Sequence, residues 1–328
     1  MINKINEYQY LLIEAHSWLK EGNMEKALIP LRAGLRIGHE NNFILPDYQW
    51  DPSVLSHLLA LALQSGIEVI YVQSLIRRHH IKAESHELES WPWPIRVFTL
   101  GRFEVLLDRV PLHFARKTQH KPLELLKCLC AYGGQASQSR LIDDLWPDSN
   151  GDAAEQALRT TLHRLRKLLN HEQSIRMKDR YLSFDPGFVW VDSLVFNRVA
   201  HLPDATPISI QQALDWYRGC FLEGESACWV LNFRDRLRAH YVDMAERFGT
   251  LLEQNGKWQD AAACYLKVIE AEPVAELFYH RLMICYARLS RRTEALFTYQ
   301  RLRHALRSLL GIGPSQETSL LYQKLIAA

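Results

Sequence analysis

The chain has 328 residues, 48% of them hydrophobic, and it carries 39 Lys and Arg against 37 Asp and Glu, a formal net charge of +2. This length predicts two or three domains, and the composition is ordinary for a soluble globular protein. Because the chain has no apolar run of 18 residues and no long apolar core near its N-terminus, the sequence predicts neither a membrane span nor a signal peptide.

The cysteines indicate the redox environment. None of the six forms a C-x-x-C pair, and most lie in apolar helical runs such as LLKCLCAYG. We therefore expect buried, reduced thiols, which fit the reducing cytoplasm.

Residues 1–81 are predicted to form helices. Over 6–81 apolar residues recur at spacings of three and four, and breakers interrupt the pattern at Gly22-Asn23 and between Asn41 and Pro52. Residues 82–94 are polar and acidic and end in two prolines, which is typical of a linker.

The pattern changes at residue 95, and a second domain is predicted over 95–186. Apolar and polar residues alternate in IRVFTLGRFEVLLDRVPL, which predicts short antiparallel strands. Three helical segments follow, over 121–134, 137–147 and 152–170. Residues 174–184 alternate again around a turn at Lys178-Asp179-Arg180, which predicts a β-hairpin.

The third of these helical segments opens with Asp152 as the predicted N-cap and has two distinct faces. At about 100° per residue, four leucines fall on one side, opposite a set of cations and threonines. The leucines are Leu158, Leu162, Leu165 and Leu169. Residues 95–186 hold 15 Lys and Arg against 11 Asp and Glu, whereas residues 1–94 hold 8 against 11. This contrast predicts a polyanionic partner for the middle domain alone.

The order of the elements in 95–186 predicts a helix-turn-helix followed by a wing. The first two helices are separated only by the short turn from Gly133 to Ser137, which is typical of that motif. The third helix, about 10–12 Å across, would fit the major groove of DNA, while the hairpin would reach the neighbouring minor groove or backbone.

Residues 187–328 form the last predicted domain, which is helical over 207–328. Ala261-x-x-x-Tyr265 recurs as Ala295-x-x-x-Tyr299, a shift of 34 residues, which is the tetratricopeptide (TPR) period, and Gly256 recurs as Ser290. Near the N-terminus the same spacing recurs. There, Ala15, Trp18, Gly22, Ala27 and Leu31 match the spacing of Gly249, Leu252, Gly256, Ala261 and Tyr265. The predicted fold is therefore mainly α with a small β component: a winged helix-turn-helix flanked by TPR-like helical repeats.

The sequence lacks the common signatures of catalysis and metal binding. It contains no G-x-x-x-x-G-K-[ST] phosphate loop, no H-E-x-x-H and no G-x-S-x-G. His79-His80 adjoin Arg77-Arg78, and a cluster of cations is a poor metal site. We predict no enzymatic activity, no cofactor and no metal.

Several segments together resemble a known combination of domains. LELLKCLCAYGGQASQSRLIDDLWPD, LHRLRKLL and the RYLSF hairpin resemble the OmpR-type winged-helix DNA-binding domain. ALDWYRGCFLEGES, RDRLRAHY, LMICYARLSRRTEALFTYQRLRHAL and LGIGPSQETSLLY resemble the bacterial transcriptional activation domain. In this order, over about 95–328, they are similar to the SARP-type (antibiotic regulatory protein) activators.

The N-terminal domain has a resemblance of its own. RAGLRIGHENNFI and VQSLIRRH resemble the final helical repeats of MalT-like regulators. In such regulators an NTPase module usually lies upstream, and this chain contains none. The expectation is either a fragment of a larger regulator or a short relative with a reduced sensory part.

The resemblance implies roles for the polar side chains of the third helix. Arg164 matches a position that reads a base edge, and arginine suits guanine O6 and N7. Positions that hold phosphates are matched by Arg159, Thr161, His163 and Arg166. Thr160 is expected on a thymine methyl or a phosphate, and Lys167 is either a contact or a solvated cation. For Thr161 the alternative is packing within the protein.

The hairpin is expected to contribute three more cations, Arg176, Lys178 and Arg180, with Arg180 the first choice for the minor groove. Relatives have a Gly-x-Gly-Tyr turn where this chain has Lys178-Asp179-Arg180-Tyr181, which puts the wing's conformation in question. Trp146 is expected in the core rather than on DNA.

Together these inferences predict a bacterial, cytoplasmic, nucleoid-associated transcription activator. By resemblance, it binds promoter repeats in double-stranded DNA as a homodimer, and its activation domain meets RNA polymerase with its sigma factor. Arg234, Arg236 and Arg238, like Arg301, Arg303 and Arg307, are either polymerase contacts or solvated.

Two alternatives remain open. One is a TPR-type protein-interaction scaffold whose winged helix serves protein contacts. The other is a ligand-gated sensor whose N-terminal repeats bind an effector or protein partner and block the DNA-binding face.

Overall fold

The computed structural model describes residues 2–44, 51–83, 88–113, 120–203 and 205–327. The predicted linker at 82–94 lies partly outside the described residues, because 84–87 are not among them. Within these ranges, no helix has both the length and the apolar character that a membrane crossing requires.

The N-terminal residues form helices, as their periodicity predicts. These are α1 (Ile2–Lys20), α2 (Met24–Glu40), α3 (Pro52–Gln64) and α4 (Val69–Arg78). The Asn23 side chain accepts a hydrogen bond from the Lys26 N–H at the start of α2, and Asp51 does the same for Ser53 at the start of α3. Each cap satisfies a backbone donor that the first helical turn leaves free.

The middle of the chain combines two small sheets with three helices. Its strands are β1 (Ile95–Phe98), β2 (Glu104–Leu107), β3 (Val110–Pro111), β4 (Gln135–Ser137), β5 (Ile175–Lys178), β6 (Tyr181–Phe184) and β7 (Val189–Val191). Its helices are α5 (His120–Ala131), α6 (Gln138–Leu145) and α7 (Gly151–Leu168). One sheet has the order β3-β2-β1-β7 and the other the order β4-β6-β5.

The C-terminal part is helical from α8 (Asp192–Ala200) onwards. It continues with α9 (Pro207–Trp216), α10 (Cys228–Gln254), α11 (Trp258–Ala271), α12 (Glu276–Arg288), α13 (Arg292–Leu310) and α14 (Gln316–Ala327). The fold-class prediction is confirmed: the molecule is mainly helical, with a winged helix between TPR-like repeats.

The physical basis of the 34-residue repeat is visible in its turns and contacts. Gly256, between α10 and α11, has φ +70°, and Ser290, between α12 and α13, has φ +59°, so both turns use a left-handed residue. A Cβ at Gly249 would lie 2.2 Å from the Tyr265 ring. The small residue is therefore required where the aromatic side chain fills the space between the paired helices.

The structure corrects several predicted elements. The N-cap of α7 is Asn150, and Asp152 lies inside the first turn. β4 occupies the turn that was predicted to join the first two helices, and it pairs with β6. β7 and α8 lie beyond the predicted boundary at residue 186, yet β7 pairs in parallel with β1 and completes its sheet, with Ile95 opposite Val189.

Direct backbone contact joins the first sheet to the C-terminal helices. Leu100 forms an antiparallel bridge with Phe221, and the Leu222 N–H donates to the Thr99 carbonyl at 2.8 Å. A Cβ at Gly101 would lie 2.7 Å from the backbone of Arg218, so the two segments approach too closely for a side chain. The winged helix and the helices that follow it are thus packed together along the main chain.

Candidate nucleic-acid interface

The leucine face of α7 is anchored in the core. Leu158, Leu162, Leu165 and Leu169 are all buried, as the helical spacing predicts. α7 packs against α5 and α6, whose buried apolar side chains include Leu125 and Leu141. Because burying one leucine stabilises the fold by roughly 1.5–3 kcal/mol, this face fixes the rotation of α7 about its axis.

The opposite face of α7 is open to solvent. Arg159, His163, Arg164 and Lys167 are exposed, and Thr160 is half-buried. Arg159 lies 3.5 Å from Glu155 in an exposed pair one helical turn apart, a contact that contributes little. Within the described residues, His163, Arg164 and Lys167 make no hydrogen bond or ion pair with another side chain or with the backbone.

Two of the expected contact residues are engaged elsewhere. Only 6% of Thr161 is exposed, so it belongs to the packed side of α7, and its expected phosphate contact is corrected to the packing role. The Arg166 guanidinium donates from Nε at 3.1 Å and from Nη2 at 2.6 Å to the carbonyl oxygen of Ile175. The sequence pattern alone contained no sign of the contact between Arg166 and Ile175, because Ile175 lies nine residues further along the chain.

The hairpin of β5 and β6 has a two-residue turn. Asp179 and Arg180 have φ +50° and +61°, so both adopt the left-handed conformation, and Lys178 pairs with Tyr181 across the turn. Positive φ at both central residues is typical of a type I′ turn, whose twist matches that of the flanking strands. The wing therefore forms without the glycines of the Gly-x-Gly-Tyr turn, and it leaves Lys178 and Arg180 exposed.

Arg176 is exposed but paired. Its guanidinium binds the carboxylate of Asp185, which is itself 3% exposed and also accepts the Gly187 N–H at 2.9 Å. Asp185 was not singled out from the sequence, although its Asp-Pro-Gly context indicates a turn. Arg176 thus closes the base of the wing while part of its side chain stays accessible.

The wing is also tied to the start of α6. The Gln138 N–H donates to the Arg180 carbonyl at 2.8 Å, and Ser137, which pairs with Tyr181, caps α6 by accepting from the Arg140 N–H. As expected, Trp146 is not an exposed contact: it packs against the core at the end of α6.

The cysteines are all free thiols. Cys128, Cys130 and Cys285 are buried, as expected, whereas Cys228 is exposed at the start of α10. Burial raises the pKa of the Cys264 thiol to about 12, so this side chain stays protonated and unreactive.

Among the residues that the structure describes, no three His, Cys, Asp or Glu side chains are grouped so as to hold a metal ion.

Comparison with known protein families gives a match for the C-terminal part of the chain. Residues 199–326 match the family described as the bacterial transcriptional activator domain. The C-terminal part of the chain is thus similar to a bacterial transcriptional activator domain. This match begins near the end of α8 and covers α9 to α13 and nearly all of α14, the TPR-like helices.

A curated relative extends the similarity beyond the activator domain. The regulatory protein AfsR of Streptomyces griseus is 24% identical over 212 residues, which are 62% of this chain and 22% of that protein. The chain therefore spans about a fifth of the length of this relative. With the activator domain, the match supports the resemblance to SARP-type transcriptional regulators, which are not a class of enzymes.

A solved structure shares the fold. The structure titled Mycobacterium tuberculosis EmbR in complex with low affinity phosphopeptide aligns with a TM-score of 0.52 at 18% identity, over 71% of this chain and 65% of that one. At this identity the alignment supports the arrangement of a winged helix and TPR-like helices.

Proposed function

We propose that this protein is a sequence-specific DNA-binding transcriptional activator. The observation that carries the proposal is the division of α7, whose leucines are buried while Arg159, His163, Arg164 and Lys167 are exposed. A helix anchored on one side and cationic on the other presents its charge to a polyanion, and α7 is narrow enough for the major groove. The adjoining activator domain fits the same role.

Five residues on the solvent-facing side of α7 each have a proposed task. Arg164 reads a guanine edge, which is worth roughly 1–3 kcal/mol of discrimination against another base. Arg159 and His163 hold phosphates, which set the register of the helix but carry little sequence information. Thr160 contacts a thymine methyl or a phosphate, and Lys167 adds charge at the edge of the groove.

The wing engages DNA beside α7. Its type I′ turn exposes Lys178 and Arg180, and Arg180 enters the adjacent minor groove. Arg176 contributes to the positive potential, although its strongest partner is Asp185. Two copies of the chain bind tandem promoter repeats as a homodimer.

The activator domain then recruits RNA polymerase with its sigma factor, and the protein works in the bacterial cytoplasm at the nucleoid. The N-terminal repeats bind an effector or a protein partner that controls this activity.

The test begins with mapping of the sites that the full chain occupies on its chromosome, followed by titration of the recovered sequence between 50 and 200 mM salt. About six phosphate contacts predict a loss of affinity of roughly 10³-fold over this range. Arg164→Ala should abolish the preference for the recovered sequence over random DNA while weak, salt-sensitive binding remains.

Arg303→Ala, which removes an exposed cation from α13, is the matched control and should behave as wild type. Salt-independent binding, or no enrichment of any sequence, would instead favour a protein-interaction scaffold. An Arg164→Ala variant that keeps full preference would refute the base-reading role.

A further inference from the structure

We propose that Arg166 is a positioning residue that fixes the wing relative to α7, rather than a phosphate contact. This inference rests on the proposed DNA-binding function, and it assigns to one residue the geometry that lets two grooves be bound at once. It starts from the double hydrogen bond that Arg166 donates to the Ile175 carbonyl.

The position of Ile175 in the sheet explains why this bond matters. In the sheet β4-β6-β5, β6 is central and is hydrogen-bonded on both sides, whereas β5 is an edge strand. Pairing with β4 holds one side of the wing, with Ser137 opposite Tyr181. The outer strand begins at Ile175, and its first carbonyl is the group that Arg166 holds.

The chemistry of arginine suits this task. The guanidinium has five N–H donors in a rigid fork, and two of them converge on one carbonyl oxygen. The side chain is partly buried between α7 and β5, unlike its neighbour Lys167, which is exposed. Removing the guanidinium would leave the Ile175 carbonyl without its two charge-assisted hydrogen bonds.

The consequence is a fixed distance between two DNA-binding elements. The base-reading face belongs to α7, and the tip of the wing carries Lys178 and Arg180. If Arg166 holds them at one spacing, its loss leaves α7 competent but lets the wing drift. The tip residues then cease to contribute, although they remain in the sequence.

A double-mutant cycle distinguishes this role from direct binding. Affinity for the recovered operator is measured for the full chain, for Arg180→Ala, for Arg166→Ala and for the two changes combined. Arg180→Ala should cost roughly tenfold in the wild-type background, about the worth of one charge-assisted hydrogen bond. In the Arg166→Ala background it should cost less than about twofold, because the wing no longer reaches its groove.

The matched cycle pairs Lys167→Ala with Arg180→Ala. Lys167 is adjacent in sequence and equal in charge, but it has no partner among the described residues, so these two losses should add. Arg166→Lys keeps the charge and loses the fork, and it should resemble Arg166→Ala more than wild type. Additive losses in the Arg166 cycle, or a wild-type phenotype for Arg166→Lys, would refute the proposal.

A measurement without DNA separates this proposal from the proposed function. Amide hydrogen exchange over Ile175–Lys178 should accelerate in Arg166→Ala and stay unchanged in Lys167→Ala. The thermal midpoint for unfolding of α7 and its core should be equal in the two variants. If the wild-type chain binds no operator while exchange in β5 still accelerates in Arg166→Ala, the proposed function is wrong and the positioning role of Arg166 stands. Unchanged exchange in β5 of Arg166→Ala overturns the positioning role by itself.

Discussion

The arginines of α7 and those of α10 follow similar helical spacings, yet they have different surroundings. In α10, Arg234 donates three hydrogen bonds to the carbonyls of Phe221, Leu222 and Glu225, and Arg238 pairs with Glu272. In α7, Arg166 likewise donates to a backbone carbonyl, but Arg164 has no partner among the described residues. A cationic stripe on a helix is therefore ambiguous until its partners are known, and an arginine without a partner is the one open to an external anion.

The largest effect on folding is expected from Arg234→Ala. The loop before α10 directs three carbonyl oxygens at this one guanidinium, and the variant leaves them without a charged donor. We expect a loss of about 2–4 kcal/mol in the free energy of unfolding, measured by denaturant titration. Arg303→Ala on α13 serves as the control and should lose less than about 0.5 kcal/mol.

If Arg234→Ala left the free energy of unfolding unchanged, the hydrogen bonds of Arg234 would not give it a structural role, and the contrast with Arg164 would fail. If it instead abolished polymerase recruitment without destabilising the fold, Arg234 would be a contact and not a structural residue.

A smaller effect is expected at the Arg238–Glu272 pair. The Glu272 carboxylate is 9% exposed and its partner 50%, so Arg238→Ala leaves a nearly buried charge with partial access to water. We expect a loss of roughly 1–2 kcal/mol, reduced from the value of a fully buried pair because Arg238 is solvated. Arg238→Lys should recover part of it, since lysine restores the charge but not the fork.

The double variant Arg238→Ala with Glu272→Gln sharpens this prediction. Removing the buried charge together with its partner should restore much of the stability lost by Arg238→Ala. A double variant no more stable than the single one would mean that Glu272 is not the group left unpaired.

The sequence predicted the scaffold of this site better than its details. The leucine stripe of α7 needs only the 3.6-residue period, and the 34-residue repeat needs only self-similarity, so both follow from local pattern. β4 and β7 were missed because three-residue strands have too few residues to show alternation. Their formation depends on partners far along the chain, as in the pairing of Ile95 with Val189.

The same limit applies to single residues. Thr160 and Thr161 are adjacent, and a rotation of 100° about the helix axis separates a half-buried residue from one that is 6% exposed. Periodicity left Thr161 ambiguous for that reason. Arg166 matched the charged pattern of α7, but its role depends on the Ile175 carbonyl, which the fold alone brings to it.

The smallest effect is expected at Lys167, the solvated extreme of the comparison. Lys167→Ala should change the free energy of unfolding by less than about 0.5 kcal/mol, because the side chain is exposed and has no partner among the described residues. If Lys167 neutralises a phosphate, the slope of log affinity against log salt should fall by about 0.9, uniformly for operator and random DNA. An unchanged slope would make Lys167 merely solvated, and the cationic stripe of α7 would then work through Arg159, His163 and Arg164 alone.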